Sequence, residues 1–223
     1  MRTPSILAAM GRDRIILIVH PLDAYAMIII QVAGFLGSGK TTLMIRLGKA
    51  LAEQGRRAVI IVNEVGEVGV DGDLLASQGL QALELTEGCI CCSLSGTLQN
   101  TLRMVKTELS PDFVLIEPTG LALPGRINGI IRTSLVEPER VVTVALVDAF
   151  RAEDLARETR AFFLRQMESA DLVALNKVDL VQGEALDRAE ALVRELCPDA
   201  RVVRLSARTG EGMNELAELM GLP

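Results

Sequence analysis

Short apolar runs recur along the chain, and polar or helix-patterned stretches separate them. Met27–Ala33, Ala58–Asn63, Leu80–Leu85, Phe113–Ile116, Val141–Val147, Leu172–Leu175 and Val202–Leu205 each read as a strand. Most of these runs are apolar at consecutive positions rather than alternate ones, as strands covered on both faces require. Between them, 40–54 and 94–109 carry helical spacing, with Gly55 closing the first helix and Pro111 stopping the second. A last helix is expected over 211–220. Strands alternating with helices predict an α/β fold, a mostly parallel sheet with helices on both faces.

Two stretches break the pattern. Residues 64–79 hold four glycines and four carboxylates without apolar periodicity, and read as a loop able to order on a ligand. Residues 1–26 contain the apolar run Ile15–Val19, but Arg12, Asp13 and Arg14 interrupt what a signal peptide keeps apolar. The segment reads either as an extra edge strand or as a non-native extension before a start at Met27. The second is favoured, because the first orderly strand–turn–helix unit begins there. Residues 27–223 are then one domain.

Composition narrows the field. A net charge of −6, 3% aromatics and no tryptophan argue against a nucleic-acid surface. No apolar run approaches the roughly 18 residues a membrane helix needs. Of the four cysteines, three crowd into Cys89-Ile90-Cys91-Cys92, which is not the spread of a disulfide framework. A reducing cytoplasm fits this usage.

Gly34-Phe35-Leu36-Gly37-Ser38-Gly39-Lys40-Thr41 fits G-x-x-x-x-G-K-[ST] and lies between a predicted strand and a predicted helix. Gly34, Gly37 and Gly39 let backbone N–H groups, that of Ser38 among them, turn toward phosphates at a helix N-terminus. Lys40 would bridge the β- and γ-phosphates, and the Thr41 hydroxyl would ligate Mg²⁺. The fold is therefore expected to be that of a P-loop NTPase. Glu117, after a buried strand, would hold Mg²⁺ through water, and Gly120 in Glu117-Pro118-Thr119-Gly120 would bring its backbone near the γ-phosphate.

Asn176-Lys177-Val178-Asp179 follows a strand downstream of that loop. Asp179 can accept from the N1–H and 2-amino group of guanine, a donor pair adenine lacks. The stem of Lys177 would cover the base and Asn176 would hold the loop. Ser206-Ala207-Arg208 fits the small-residue turn that offers an N–H to guanine O6. In this order the motifs predict GTP rather than ATP.

Cys89, Cys91 and Cys92 are soft donors for Zn²⁺ or Co²⁺. Adjacent residues 91 and 92 cannot both face one core in an extended chain, and Gly88 and Ser93 bracket a turn. Metal binding is the preferred reading. Small buried cysteines, or a redox pair despite the missing C-x-x-C spacing, are the alternatives.

With GFLGSGKTT (Gly34–Thr42), VNEVGEVGVDG (Val62–Gly72), GCICCS (Gly88–Ser93), IEPTGL (Ile116–Leu121) and Asn176–Asp179, the chain resembles CobW-type GTPases. These belong with the urease and hydrogenase nickel-insertion GTPases. The resemblance runs from Met27 to about Pro223. It implies slow GTP hydrolysis, with Thr42 joining the nucleotide contacts and Zn²⁺ or Co²⁺ bound at the three cysteines. It also implies Glu64 as a further metal ligand and Asp71 or Asp73 reaching Mg²⁺ through water. Family members commonly carry a further C-terminal domain and a histidine-rich stretch, whereas the one histidine here is His20, read as incidental. The implied partners are a client metalloenzyme or cobalamin-related protein and a second copy of the chain. Two other functions share the P-loop: a GTPase that remodels or protects a cobalamin-dependent enzyme without moving metal, and a kinase for a small acceptor. No glutamine or arginine stands out in the sequence as an activator of the attacking water.

Overall fold

The computed structural model describes residues 6–11, 14–19, 27–62, 81–84, 93–118 and 122–222. Strands β1 (Ile6–Gly11) and β2 (Arg14–Val19) pair antiparallel, Ile6 opposite Val19, as a two-stranded sheet of their own. The main sheet contains β3 (Ile28–Gly34), β4 (Ala58–Val62), β5 (Gln81–Glu84), β6 (Phe113–Glu117), β7 (Arg140–Asp148), β8 (Leu172–Asn176) and β9 (Arg201–Arg204). Their order is β5-β4-β6-β3-β7-β8-β9, and every pairing is parallel.

Helices follow the strands: α1 (Lys40–Glu53), α2 (Ser93–Met104), α3 (Pro124–Thr133), α4 (Ala152–Glu158), α5 (Arg160–Met167), α6 (Glu184–Leu196) and α7 (Met213–Leu219). The consecutive apolar residues of the strands divide between the two faces. Ile30 and Val32 pack with Leu43, Met44 and Leu47 of α1 and Leu216 of α7. Ile29 packs on the other face with Leu98 and Leu102 of α2 and Ile127 of α3. Beyond β3, Ala145 and Val147 meet Phe163 of α5 and Val193 of α6. In α1 the stripe Leu43, Met44, Leu47 and Leu51 is buried. Each such side chain contributes roughly 1.5–3 kcal/mol, well above the ~1 kcal/mol that Gly48 costs in a helix interior. Burial, not propensity, holds that helix.

The expected elements are present, with ends shifted by one or two residues. Gly55, just past α1, takes a left-handed φ of 72°. The helix expected to reach Leu109 changes at Val105 into a π-turn, Val105–Leu109. Ser110 then closes it at φ 44°, its N–H reaching the Val105 carbonyl. Among the described residues no helix is long and apolar enough to cross a membrane.

The strand order places the site. From β3 the chain moves out to β4 and β5, returns to β6, then crosses to β7, β8 and β9 on the other side. Ligands of such sheets bind at the carboxyl ends of the strands where the order reverses. Gly34, Glu117, Asp148 and Asn176 are the last residues of β3, β6, β7 and β8.

Candidate nucleotide-binding site

The phosphate loop is shaped by contacts no side chain could share. A Cβ on Gly34, at φ 143°, would stand 2.4 Å from the Leu146 carbonyl oxygen of β7. One on Gly39, at φ 100°, would stand 2.4 Å from Asn176 Nδ2. These positions need glycine for approach as well as for φ. The Ser38 hydroxyl is buried in the loop without a hydrogen-bond partner among the described residues, so it is a donor available to a ligand. Lys40, 4% exposed, donates from Nζ to the Phe35 carbonyl at 3.2 Å.

Thr41 Oγ1 donates to Glu117 Oε1 at 2.9 Å across 76 residues. The start of α1 and the end of β6 thus bring together a hydroxyl and a carboxylate oxygen beside the phosphate loop. Such hard oxygen donors suit Mg²⁺, and the residues present fit that ion.

At the base end Asn176 joins three segments. Its Nδ2 donates to the Ser38 carbonyl at 2.7 Å, and its Oδ1 accepts from the Ala207 N–H at 2.8 Å. Lys177 sits at a left-handed φ of 66° and pairs through Nζ with Asp148 Oδ2 at 2.8 Å. Asp179 Oδ1 accepts from Ser206 Oγ at 2.6 Å, and Oδ2 pairs with Arg208 at 2.8 Å. The Ser206 hydroxyl, helped by the Arg208 guanidinium, holds the Asp179 carboxyl below its ordinary range against an opposing effect of burial. A pocket of about 260 Å³ opens here, lined by Thr42, Lys177, Asp179, Leu180, Ala207 and Arg208 among others.

Gly34, Gly37, Ser38, Gly39, Lys40, Thr41, Thr42, Glu117, Asn176, Lys177, Asp179, Ser206 and Ala207 therefore gather at the carboxyl end of the sheet. Glu64, Asp71, Asp73, Cys89, Cys91, Cys92, Gly120 and His20 lie outside the described residues. Among the described residues no group of three or more Cys, His, Asp or Glu could hold a metal ion.

Three residues escaped sequence reasoning. Arg46 of α1 donates from Nε to the Ala207 carbonyl at 2.8 Å and from Nη2 to the Arg208 carbonyl at 2.7 Å, clamping the base turn. Asp148, 2% exposed, bonds Lys177 and also accepts from the Phe150 N–H at 3.0 Å. Arg151 reaches the Leu36 carbonyl from Nη1 at 3.4 Å. Only Asp148 carried a usable signal, a carboxylate ending an apolar strand, the same signal that marked Glu117.

A family model described as CobW/HypB/UreG, nucleotide-binding domain, matches residues 28–204. The chain is similar to the zinc chaperone CobW of Sinorhizobium sp, 36% identical over 185 residues, 70% of this chain and 52% of that protein. It is similar also to the zinc chaperone YjiA of Escherichia coli, 38% identical over 172 residues, 72% of this chain and 52% of that protein. The chain spans about half the length of these curated relatives. The crystal structure of Zn(II)-bound YjiA matches with a TM-score of 0.56 and 30% identity, covering 80% of this chain and 57% of that one. Hydrogenase maturation factor HypB from Archaeoglobus fulgidus shares the fold, with a TM-score of 0.66 at 20% identity over 90% of this chain and 91% of that one.

Proposed function

This chain belongs to the CobW/HypB/UreG nucleotide-binding family, and from that premise we propose that it is a GTP-hydrolysing metallochaperone, with zinc as the cargo and a cytoplasmic metalloenzyme as the client. The observation that carries the reading is the base end of the cleft. Asp179 presents a carboxylate held in its charged form to a pocket floored by the same Asn176 that ties down the phosphate loop. The N1–H and 2-amino donors of a guanine edge match that carboxylate, whereas adenine brings no such donor pair to it.

The residues then take these roles. Backbone N–H groups of Gly37–Thr42 and the Ser38 hydroxyl bind phosphate oxygens. Lys40 exchanges its bond to the Phe35 carbonyl for the β- and γ-phosphates. Thr41 and Glu117 would hold Mg²⁺, which would supply charge neutralisation for the triphosphate. Gly120 offers its N–H to the terminal phosphate. Cys89, Cys91, Cys92 and Glu64 bind the cargo. Names given to the relatives favour zinc over cobalt.

Coupling between cargo and nucleotide has a structural rationale. Strand β5 is parallel to β4, so its last residue, Glu84, stands at the carboxyl end of the sheet, as Gly34 and Glu117 do, five residues before Cys89 in the chain. Loss of the γ-phosphate there would change the metal site, and release of Zn²⁺ to the client would follow. Reciprocity makes this measurable: if GTP tightens Zn²⁺ binding, Zn²⁺ tightens GTP binding by the same factor. Calorimetric titration of GTP, GDP and ATP with and without Zn²⁺ should give guanine selectivity and roughly a 5- to 150-fold coupling, the range of ordinary allosteric linkage. Equal affinity for ATP removes the nucleotide assignment, and an unchanged GTP affinity with Zn²⁺ removes the timing role.

A further inference from the structure

We propose that Arg151 is a catalytic residue of this GTPase site, supplying from the same chain a guanidinium that pairs with the terminal phosphate and neutralises the charge that builds during hydrolysis. The inference rests on the nucleotide reading above and adds to it a group that no motif marks.

The turn after β7 fixes where Arg151 starts. The Asp148 carboxylate accepts from the Phe150 N–H at 3.0 Å, and its other oxygen pairs with the Lys177 ammonium at 2.8 Å. The Ala149 N–H donates to the Asn176 carbonyl at 2.8 Å, and the Arg151 N–H to the Asp148 carbonyl at 3.1 Å. Every peptide of the turn is therefore bonded to the base loop or to the strand end.

From that base the side chain turns toward the phosphate loop. Its Nη1 lies 3.4 Å from the Leu36 carbonyl, and a Cβ built on Gly37 would meet the same atom at 3.7 Å. Leu36 directly follows Phe35, whose carbonyl holds the Lys40 ammonium. The guanidinium thus stands at the phosphate end of the cleft, away from the pocket of Asp179 and Arg208. Among the described residues no carboxylate pairs with Arg151, and the contact to Leu36 is long and uses one of its donors. The remaining donors form the planar fork that matches phosphate oxygens.

The chemistry needs such a group. In hydrolysis the water oxygen bonds to the γ-phosphorus as the bond to the β–γ bridging oxygen breaks. The electron pair leaves on the β-phosphate, and the water proton ends on the released phosphate. Charge accumulates on the bridging and γ-oxygens, where an arginine supplied in cis or in trans raises the rate by orders of magnitude.

The test compares wild type, Arg151→Ala and Arg151→Lys by single-turnover GTP hydrolysis, by GDP affinity, and by binding of GDP with aluminium fluoride, which mimics the transferring phosphoryl group. Arg151→Ala should lower the hydrolysis rate by about 100-fold or more and lose the aluminium fluoride complex, while GDP affinity changes less than about threefold. Arg151→Lys should recover part of the rate, since it keeps charge without the fork. Hydrolysis by Arg151→Ala at the wild-type rate overturns the proposal. So does an equal loss of GDP and transition-state binding, which marks a structural role. Failure of wild type itself to bind GDP overturns the nucleotide reading and this inference together; binding without an Arg151 effect overturns only the latter.

Discussion

Asn176 Nδ2 lies 2.7 Å from the Ser38 carbonyl oxygen, so an amide on the base-recognition loop holds the phosphate loop directly, 138 residues away in the chain. The other end of the same amide holds Ala207. One side chain therefore sets the spacing between the two ends of the nucleotide cleft.

Asn176→Ala should damage both ends at once. It leaves the Ser38 carbonyl and the Ala207 N–H without these partners, and a buried orphan costs about 1–3 kcal/mol. Two orphans cost about 2 kcal/mol at the least, which predicts a fall in Tm of about 4–8 °C or more for a chain of this size. Differential scanning calorimetry should show it, with GDP affinity falling alongside. A variant of unchanged Tm and affinity would mean that the clamp is not needed to shape the cleft.

Asp179→Asn should weaken GTP by about 100-fold or more while accepting xanthosine triphosphate, because the amide can donate to the 2-oxo group of xanthine. Competition binding with the two nucleotides decides it. Retained preference for GTP would place base recognition elsewhere.

The pH dependence of this contact has a definite sign. Asp179 is held below its ordinary value of 3.8, chiefly by the Ser206 hydroxyl. A carboxyl with a depressed folded-state value contributes above its unfolded value, and the contribution is lost as pH falls through the folded one. The Asp179 part of GTP affinity should therefore be flat from about pH 8 to pH 5 and disappear only below the usual carboxylate range. Titrations comparing wild type with Ser206→Ala should show the variant losing affinity at higher pH.

Glu117→Gln should cut GTP hydrolysis by roughly 100-fold and raise the Mg²⁺ needed for half-maximal rate, because it removes charge beside Thr41 Oγ1. GDP affinity without Mg²⁺ should stay within a few-fold. An unaltered Mg²⁺ requirement would dissociate Glu117 from the ion.

Cys89→Ser, Cys91→Ser and Cys92→Ser should each lower bound Zn²⁺ by at least tenfold in affinity, whereas Cys197→Ser should leave it unchanged. Cys197 sits at the end of α6, and burial raises its thiol pKa, disfavouring the thiolate a metal needs. Metal analysis after dialysis reads both outcomes.

Much of the architecture could be read from the chain because its strands are buried on both faces. Ile28–Gly34, Phe113–Glu117 and Leu172–Asn176 announce themselves as unbroken apolar runs, and their ends were placed almost to the residue. Glu117 and Asn176–Asp179 could be placed because they follow such runs. Strand order was beyond reach, since nothing local records that β3 lies between β6 and β7. Arg46 and Arg151 were missed for a related reason. Each is one charged residue among several on a helix or turn, and only the fold brings Ala207 or Leu36 within reach. The break between α4 and α5 at Thr159, whose hydroxyl bonds the Leu155 carbonyl, likewise has no apolar signature.

The close approach of Gly39 to Asn176 has an evolutionary consequence. Since a methyl group at 39 would fall 2.4 Å from Nδ2, position 39 is tied to what stands at 176, whereas a shorter residue at 176 leaves Gly39 uncrowded. A lineage that changed Gly39 would need a shorter residue at 176, thereby surrendering both partners of that amide. Change at 39 is therefore conditional on loss of that clamp, while change at 176 is not conditional on 39.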